Sequence, residues 1–130
     1  MIHAAAILST ALLFGGMTLY LFGFAAFLFS ALPTAAAGQV LRKAFPWFYA
    51  FVIVTAGLSA GLWWFTATLH VAVLAAVALT ALMARQILIP AINNATDRGQ
   101  RHRFKWLHGL SVLITVSHIV ATGWLLVAMV

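Results

Sequence analysis

RHRFKWLHGLSVLITVSHIVATGWLLVAMV (Arg101–Val130) decides the fold of this chain. From Trp106 onward it carries no charged residue, and that run is long enough to cross a hydrocarbon core about 30 Å thick. Its polar interruptions are ordered. His108, Ser111, Thr115, His118 and Thr122 follow alternating steps of three and four, which places them on one helical face roughly 80° wide. Lipid offers such side chains no hydrogen-bond partner, so the stripe must turn toward protein, and the rest of the chain must supply it.

The rest of the sequence is suited to that task. Only 6% of the 130 residues are charged, 65% are hydrophobic, and the mean hydropathy is +1.12. A soluble domain carries about 25% charged residues, so the composition is that of an integral membrane protein. The length suits one domain, residues 1–130, and the expected fold class is an all-α, four-transmembrane-helix antiparallel bundle. The expected spans are residues 2–32, 46–66, 69–89 and 104–130. The first lacks a basic n-region and is too long for a signal peptide, so it reads as a retained helix that tilts, kinks near Gly15-Gly16 or extends past the surface. Pro33 ends it. Ala35 to Phe45, with Arg42 and Lys43 beside apolar residues, reads as a short interfacial helix between helices 1 and 2. Pro46 then starts the second span and Pro90 stops the third. Trp47, Tyr49, Trp63 and Trp64 match aromatic belts.

Charge sets the expected orientation. All seven basic residues fall in or beside the first and third connections, namely Arg42, Lys43, Arg85, Arg98, Arg101, Arg103 and Lys105. The positive-inside rule puts that side in the cytoplasm of a bacterial inner membrane, with both termini on the opposite side. The net charge of +6 thus reads as topology rather than as nucleic-acid binding. Arg42, Lys43, Arg101, Arg103 and Lys105 are candidates for anionic lipid headgroups.

Composition also removes chemistry. There is no cysteine, and Asp97 is the sole acidic residue, so thiol catalysis, iron–sulfur clusters, paired carboxylates and acidic proton relays are excluded. No set of nucleophile, base and orienting group can be assembled, and no enzyme or metal site is expected. Small residues at helical spacing, Gly57 and Gly61 in the second span and Ala72, Ala76, Thr80 and Ala84 in the third, are expected to mark helix-packing faces. The stripe in the fourth span further predicts that His118→Leu perturbs the protein more than Leu125→Ala.

Three segments resemble a known family. FLFSALPTAAAGQVLRKAFPWFYA (Phe27–Ala50), IPAINNATDR (Ile89–Arg98) and FKWLHGLSVL (Phe104–Leu113) are together similar to the transmembrane-protein-205-like family of small four-helix membrane proteins, whose bacterial members form a domain of unknown function. The matching positions are Pro33, Gly38, Phe45, Pro46, Tyr49, Pro90, Asn93, Asp97, His108 and Ser111. Thr34 and Gly109 stand where relatives often carry arginine, which weakens any anion-binding role there. The resemblance implies a fold and a topology but little chemistry.

Candidate sites follow. Tyr49, Asn93, Asp97, His108 and Ser111 should gather at the basic end as a ligand or partner site. The bland alternative has Asn93 and Asn94 as C-terminal caps and Asp97 as an N-cap, with Asp97 paired to Arg98, Arg101 or Arg103, or bonded to His108. Among the histidines, His102 should be solvated, and His3 and His70 should meet near the opposite surface. His118 lies at mid-membrane with Met17 roughly level. His108 and His118 are ten residues apart, about 15 Å of rise, too far to share a metal. The leading reading is an accessory or scaffold subunit, as a homo-oligomer or within a larger membrane complex. A haem b redox protein using His118, His3 or His70 is the first alternative, and an oligomeric small-solute channel or transporter the second.

Overall fold

A computed structural model describes residues 1–129; Val130, the expected last residue of the fourth span, lies outside the described residues. Four helices, each long and apolar enough to cross a membrane, form an antiparallel bundle: α1 (Ile2–Ala31), α2 (Thr34–Trp63), α3 (Thr68–Asp97) and α4 (Arg101–Ala128). Each packs on its sequence neighbours, and α1 closes the ring against α4. A 30-residue helix is about 45 Å long, so α1, α2 and α3 extend past a hydrocarbon core of about 30 Å.

Two of the three prolines expected at helix ends, Pro46 and Pro90, lie inside helices. The Ala35–Phe45 segment is the beginning of α2 rather than a separate interfacial helix, and α2 runs unbroken through Pro46. The real break is one step earlier. Leu32, before Pro33, is extended at φ −125° and ψ 153°, the conformation forced by the following ring, and the helix restarts at Thr34. At Pro46 a donor arrives from outside, for Arg85 Nε donates to the Pro46 carbonyl at 3.1 Å. The carbonyl that the missing Pro46 N–H leaves without its donor is that of Arg42, one turn earlier, and α2 stays helical across it while packed on α1 and α3.

Pro90 likewise fails to stop α3, which continues to Asp97. A wide π turn at Ala84–Leu88 directly precedes the proline and makes room for a residue without an N–H. A second π turn, Leu19–Phe24, interrupts α1, so the irregularity falls there rather than at Gly15-Gly16. Gly16 has a different use: a Cβ placed on it would lie 2.6 Å from ring carbons of Phe51, so glycine permits the α1–α2 approach.

The α3–α4 corner is closed by Gly99 at φ +65°. Gln100 N–H donates to Ala95 O at 2.9 Å and Gly99 N–H to Thr96 O at 3.1 Å, the paired bonds of a Schellman cap. Asn93 and Asn94 therefore sit within α3 rather than capping it. Asp97 is its last residue and not an N-cap; Gln100 precedes α4 without a side-chain cap bond.

Leu13, Met17, Val52, Ala56, Leu74 and Leu125 lie in the main core, all fully buried. The polar stripe of α4 faces inward with it: Ser111, Thr115, His118 and Thr122 are buried. The expected small-residue ridges do not. Gly57, Gly61, Ala72, Ala76 and Thr80 are exposed, and only Ala84 of that set is buried. An interior of four helices must be filled, so Val52, Trp63 and Leu74 share the inner face with alanines such as Ala56 and Ala81, while Gly57, Gly61, Ala72 and Ala76 face outward.

Candidate functional site

At the basic end the helices do not close over one another. A groove of about 600 Å³ runs between the end of α1, the start of α2, the last turns of α3 and the start of α4. Its mouth is polar, with Thr34, Gln39, Arg42, Asn93 and Thr96. Its walls are apolar, built by Phe29, Leu41, Phe45, Ile92 and Phe104. His108 lines the groove and stacks on Phe104 at 5.4 Å and 7° between planes. A smaller chamber of about 110 Å³ lies further in, sharing Phe29, Leu41, Phe45 and His108 with the groove and adding Tyr20, Phe48, Ser111 and Thr115.

The π turn of α1 carries Tyr20 into this chamber. Its ring stacks on Phe48 at 4.0 Å and meets Phe45 edge-on at 5.8 Å. Its hydroxyl is buried and has no hydrogen-bond partner, a free-energy cost that a bound acceptor would relieve. Beside it, Tyr49 is fully buried and its hydroxyl bonds Ser111 Oγ at 3.0 Å, a link across the bundle from α2 to α4.

The mouth holds an ion pair. Arg42 donates to both carboxylate oxygens of Asp97, Nη1 to Oδ1 at 2.6 Å and Nη2 to Oδ2 at 2.9 Å, with side chains 42% and 58% exposed. The bonded guanidinium holds the Asp97 carboxyl below its ordinary range. Both residues lie outside the spans expected from the sequence, 46–66 and 69–89. The expected partners Arg98, Arg101, Arg103 and His108 are thus replaced by a residue 55 positions away. Sequence spacing favoured neighbours in the loop, but the end of α3 packs on both α4 and α2, and the carboxylate is taken by the α2 guanidinium.

The five residues expected to form one cluster are consequently divided. Asp97 is at the rim, Asn93 and His108 line the groove, and Tyr49 and Ser111 pair inside. Residues that the sequence reading passed over complete the site: Tyr20, Phe29, Gln39, Leu41, Thr96 and Phe104. The legible signal among them was Tyr20, the one phenol in α1.

The other histidines form no shared site. His3 and His70 do not meet; Trp63 stands between them, 5.0 Å from the His3 ring and 4.9 Å from that of His70. His118 Nε2 is hydrogen-bonded to Thr80 Oγ1 at 2.7 Å. His102 accepts from Trp106 Nε1 at 3.2 Å at the exposed surface. Among the described residues no three histidine, cysteine or acidic side chains gather as metal ligands.

A family model described as a domain of unknown function (DUF4149) matches residues 8–102. The match spans α1, α2 and α3, and so includes Tyr20, Gly38, Arg42, Asn93 and Asp97, while His108 and Ser111 lie beyond it. No curated protein and no solved structure matches the chain significantly.

Proposed function

Because this chain belongs to the family described as a domain of unknown function, DUF4149, we propose its role from geometry: a non-enzymatic accessory module that holds one lipid-like amphiphile at its basic end. The groove carries this reading. It is polar where it opens and apolar within, and its size falls in the roughly 300–1,000 Å³ range of small-molecule sites. It opens beside Arg42 and Lys43, on the end where the α3–α4 corner adds Arg98, Arg101, Arg103 and Lys105. The positive-inside rule supports placing that end in the cytoplasm and both termini across a bacterial inner membrane. Basic side chains near an anionic leaflet contribute about 1 kcal/mol each.

Gly38 provides the test. It lines the groove, and a Cβ placed on it meets nothing within 4 Å. Gly38→Phe should therefore fill the groove without a backbone clash. Native mass spectrometry of the purified wild type should show one bound lipid, lost in Gly38→Phe while helicity and melting temperature are kept. A lipid-free wild type, or equal retention by Gly38→Phe, would refute the reading.

A second reading, self-association, is favoured by one observation. Gly57 and Gly61 lie on the exposed face of α2 with open space where a Cβ would be, which lets a second copy approach closely. Gly57→Leu with Gly61→Leu should then reduce a dimer to monomer in mass photometry; an unchanged mass would end this reading. Haem and channel readings gain no such support, since His118 is engaged by Thr80, while Leu13, Leu74 and Leu125 are fully buried in the core.

A further inference from the structure

We infer that the Arg42–Asp97 ion pair is a latch at the mouth of the groove, and that the ligand is an anionic phospholipid whose phosphate takes Arg42 from Asp97. This rests on the groove as an amphiphile site and names the headgroup chemistry and the contact that admits it.

Arg42 is the one lysine or arginine among the residues lining the groove, and Asp97 is the only carboxylate side chain in the whole chain. The latch therefore has one acceptor to displace. The pair is a two-bond fork, and a guanidinium presents the same planar donors to a phosphate as to a carboxylate. A phosphate can replace Asp97 bond for bond. The exchange is also cheap. Both partners are substantially exposed, and an exposed ion pair contributes little to stability. The released carboxylate stays in water rather than being stranded in the interior. It also remains next to Arg98.

The walls identify the rest of the molecule. Beneath Arg42 come Leu41, Phe45, Phe29, Ile92 and Phe104, which offer an acyl chain contact but no hydrogen bond. Gln39 and Asn93, at the level of the mouth, supply neutral donors to the glycerol and headgroup oxygens. Lys43 and the α4 start at Arg101 keep the surroundings positive, so a net negative headgroup is favoured over a zwitterionic one.

The experiment is a lipid titration of the detergent-purified, delipidated protein by native mass spectrometry. It uses phosphatidylglycerol and phosphatidylcholine with identical acyl chains. Wild type should bind phosphatidylglycerol more tightly. Arg42→Gln should weaken phosphatidylglycerol by roughly fivefold and should weaken phosphatidylcholine too, since it carries the same phosphate, while Lys43 and Arg101 keep the remaining preference for the net negative headgroup. Asp97→Asn, which frees Arg42, should strengthen phosphatidylglycerol binding. Inorganic phosphate at millimolar concentration should not displace the lipid; displacement would mean that the mouth recognises a free anion, overturning the lipid assignment. Equal binding of both lipids by wild type, or no change in Arg42→Gln, overturns the latch while leaving the groove standing. If Gly38→Phe binds both lipids as well as wild type does, the groove itself falls, and the latch with it.

Discussion

Around Leu13, Leu74 and Leu125 the four helices meet side chain to side chain, whereas around Phe29, Arg42 and His108 the same helices stand apart over a groove. The closed half is tied by short polar links, Trp63 Nε1 donating to Thr10 Oγ1 at 3.3 Å and Ser59 to Ser9 at 2.9 Å. The open half has a small core of its own, Leu28, Ala37 and Leu41. Tyr20 and Phe24, from the π turn at Leu19–Phe24, pack on it, whereas Ala84 and Leu88 of the second π turn are buried in the main core. The contrast teaches that stability resides in one half and the candidate site in the other.

The widest predicted gap between the halves comes from truncation. Leu74→Ala, at a fully buried position, should cost about 2–5 kcal/mol in reversible unfolding. Phe29→Ala, on the exposed groove wall, should stay within about 0.5 kcal/mol. Similar losses at both positions would erase the distinction. The same logic reverses an expectation from the fourth span, because Leu125 faces the core and not lipid. Leu125→Ala should again lose about 2–5 kcal/mol. His118→Leu should lose only about 1 kcal/mol, since the Thr80 hydroxyl keeps its bond to Ala76 O at 2.7 Å.

Glycines sharpen the comparison at intermediate size. Gly123→Val should destabilise by about 1–3 kcal/mol, because even a Cβ there would sit 3.0 Å from the Phe14 ring. Gly38→Ala in the open half meets nothing and should be neutral or slightly stabilising, since alanine is the better helix former. A thermal shift assay separates the two.

Smaller still is Tyr20→Phe, which removes a buried hydroxyl without a partner. The ligand-free protein should gain about 1 kcal/mol, and a loss of that size would show that the hydroxyl has a partner after all. Last comes the latch. The carboxyl pKa of Asp97 is lowered in the fold, so its contribution is present above the ordinary carboxylate range and fades as pH falls through the lowered value. With both groups exposed, the melting temperature of wild type should fall only slightly on acidification, and Asp97→Asn should lack that slope. An identical slope in both proteins would remove the pair from the account.

Much of this was legible in the sequence, and the misses share a cause. Four spans followed from apolar run length, and the buried face of α4 followed from the spacing of Ser111, Thr115, His118 and Thr122. Pro33 broke the chain as expected, but Pro46 and Pro90 misled because a local rule was applied where packing on neighbouring helices holds the helix across the ring. Gly57 and Gly61 misled because a small-residue motif states that a helix can approach, not which partner does. Asp97 was assigned to its loop neighbours because long-range pairing leaves no trace in spacing.

Composition and periodicity alone thus determined that the chain is a set of membrane-spanning helices with one charged end, since apolar length and helical phase are properties of each segment by itself. Which half closes, where the groove opens, and that Arg42 meets Asp97 were decided only by the tertiary structure. Those outcomes depend on how four helices share one interior, where each side chain's place is set by the volume its neighbours leave.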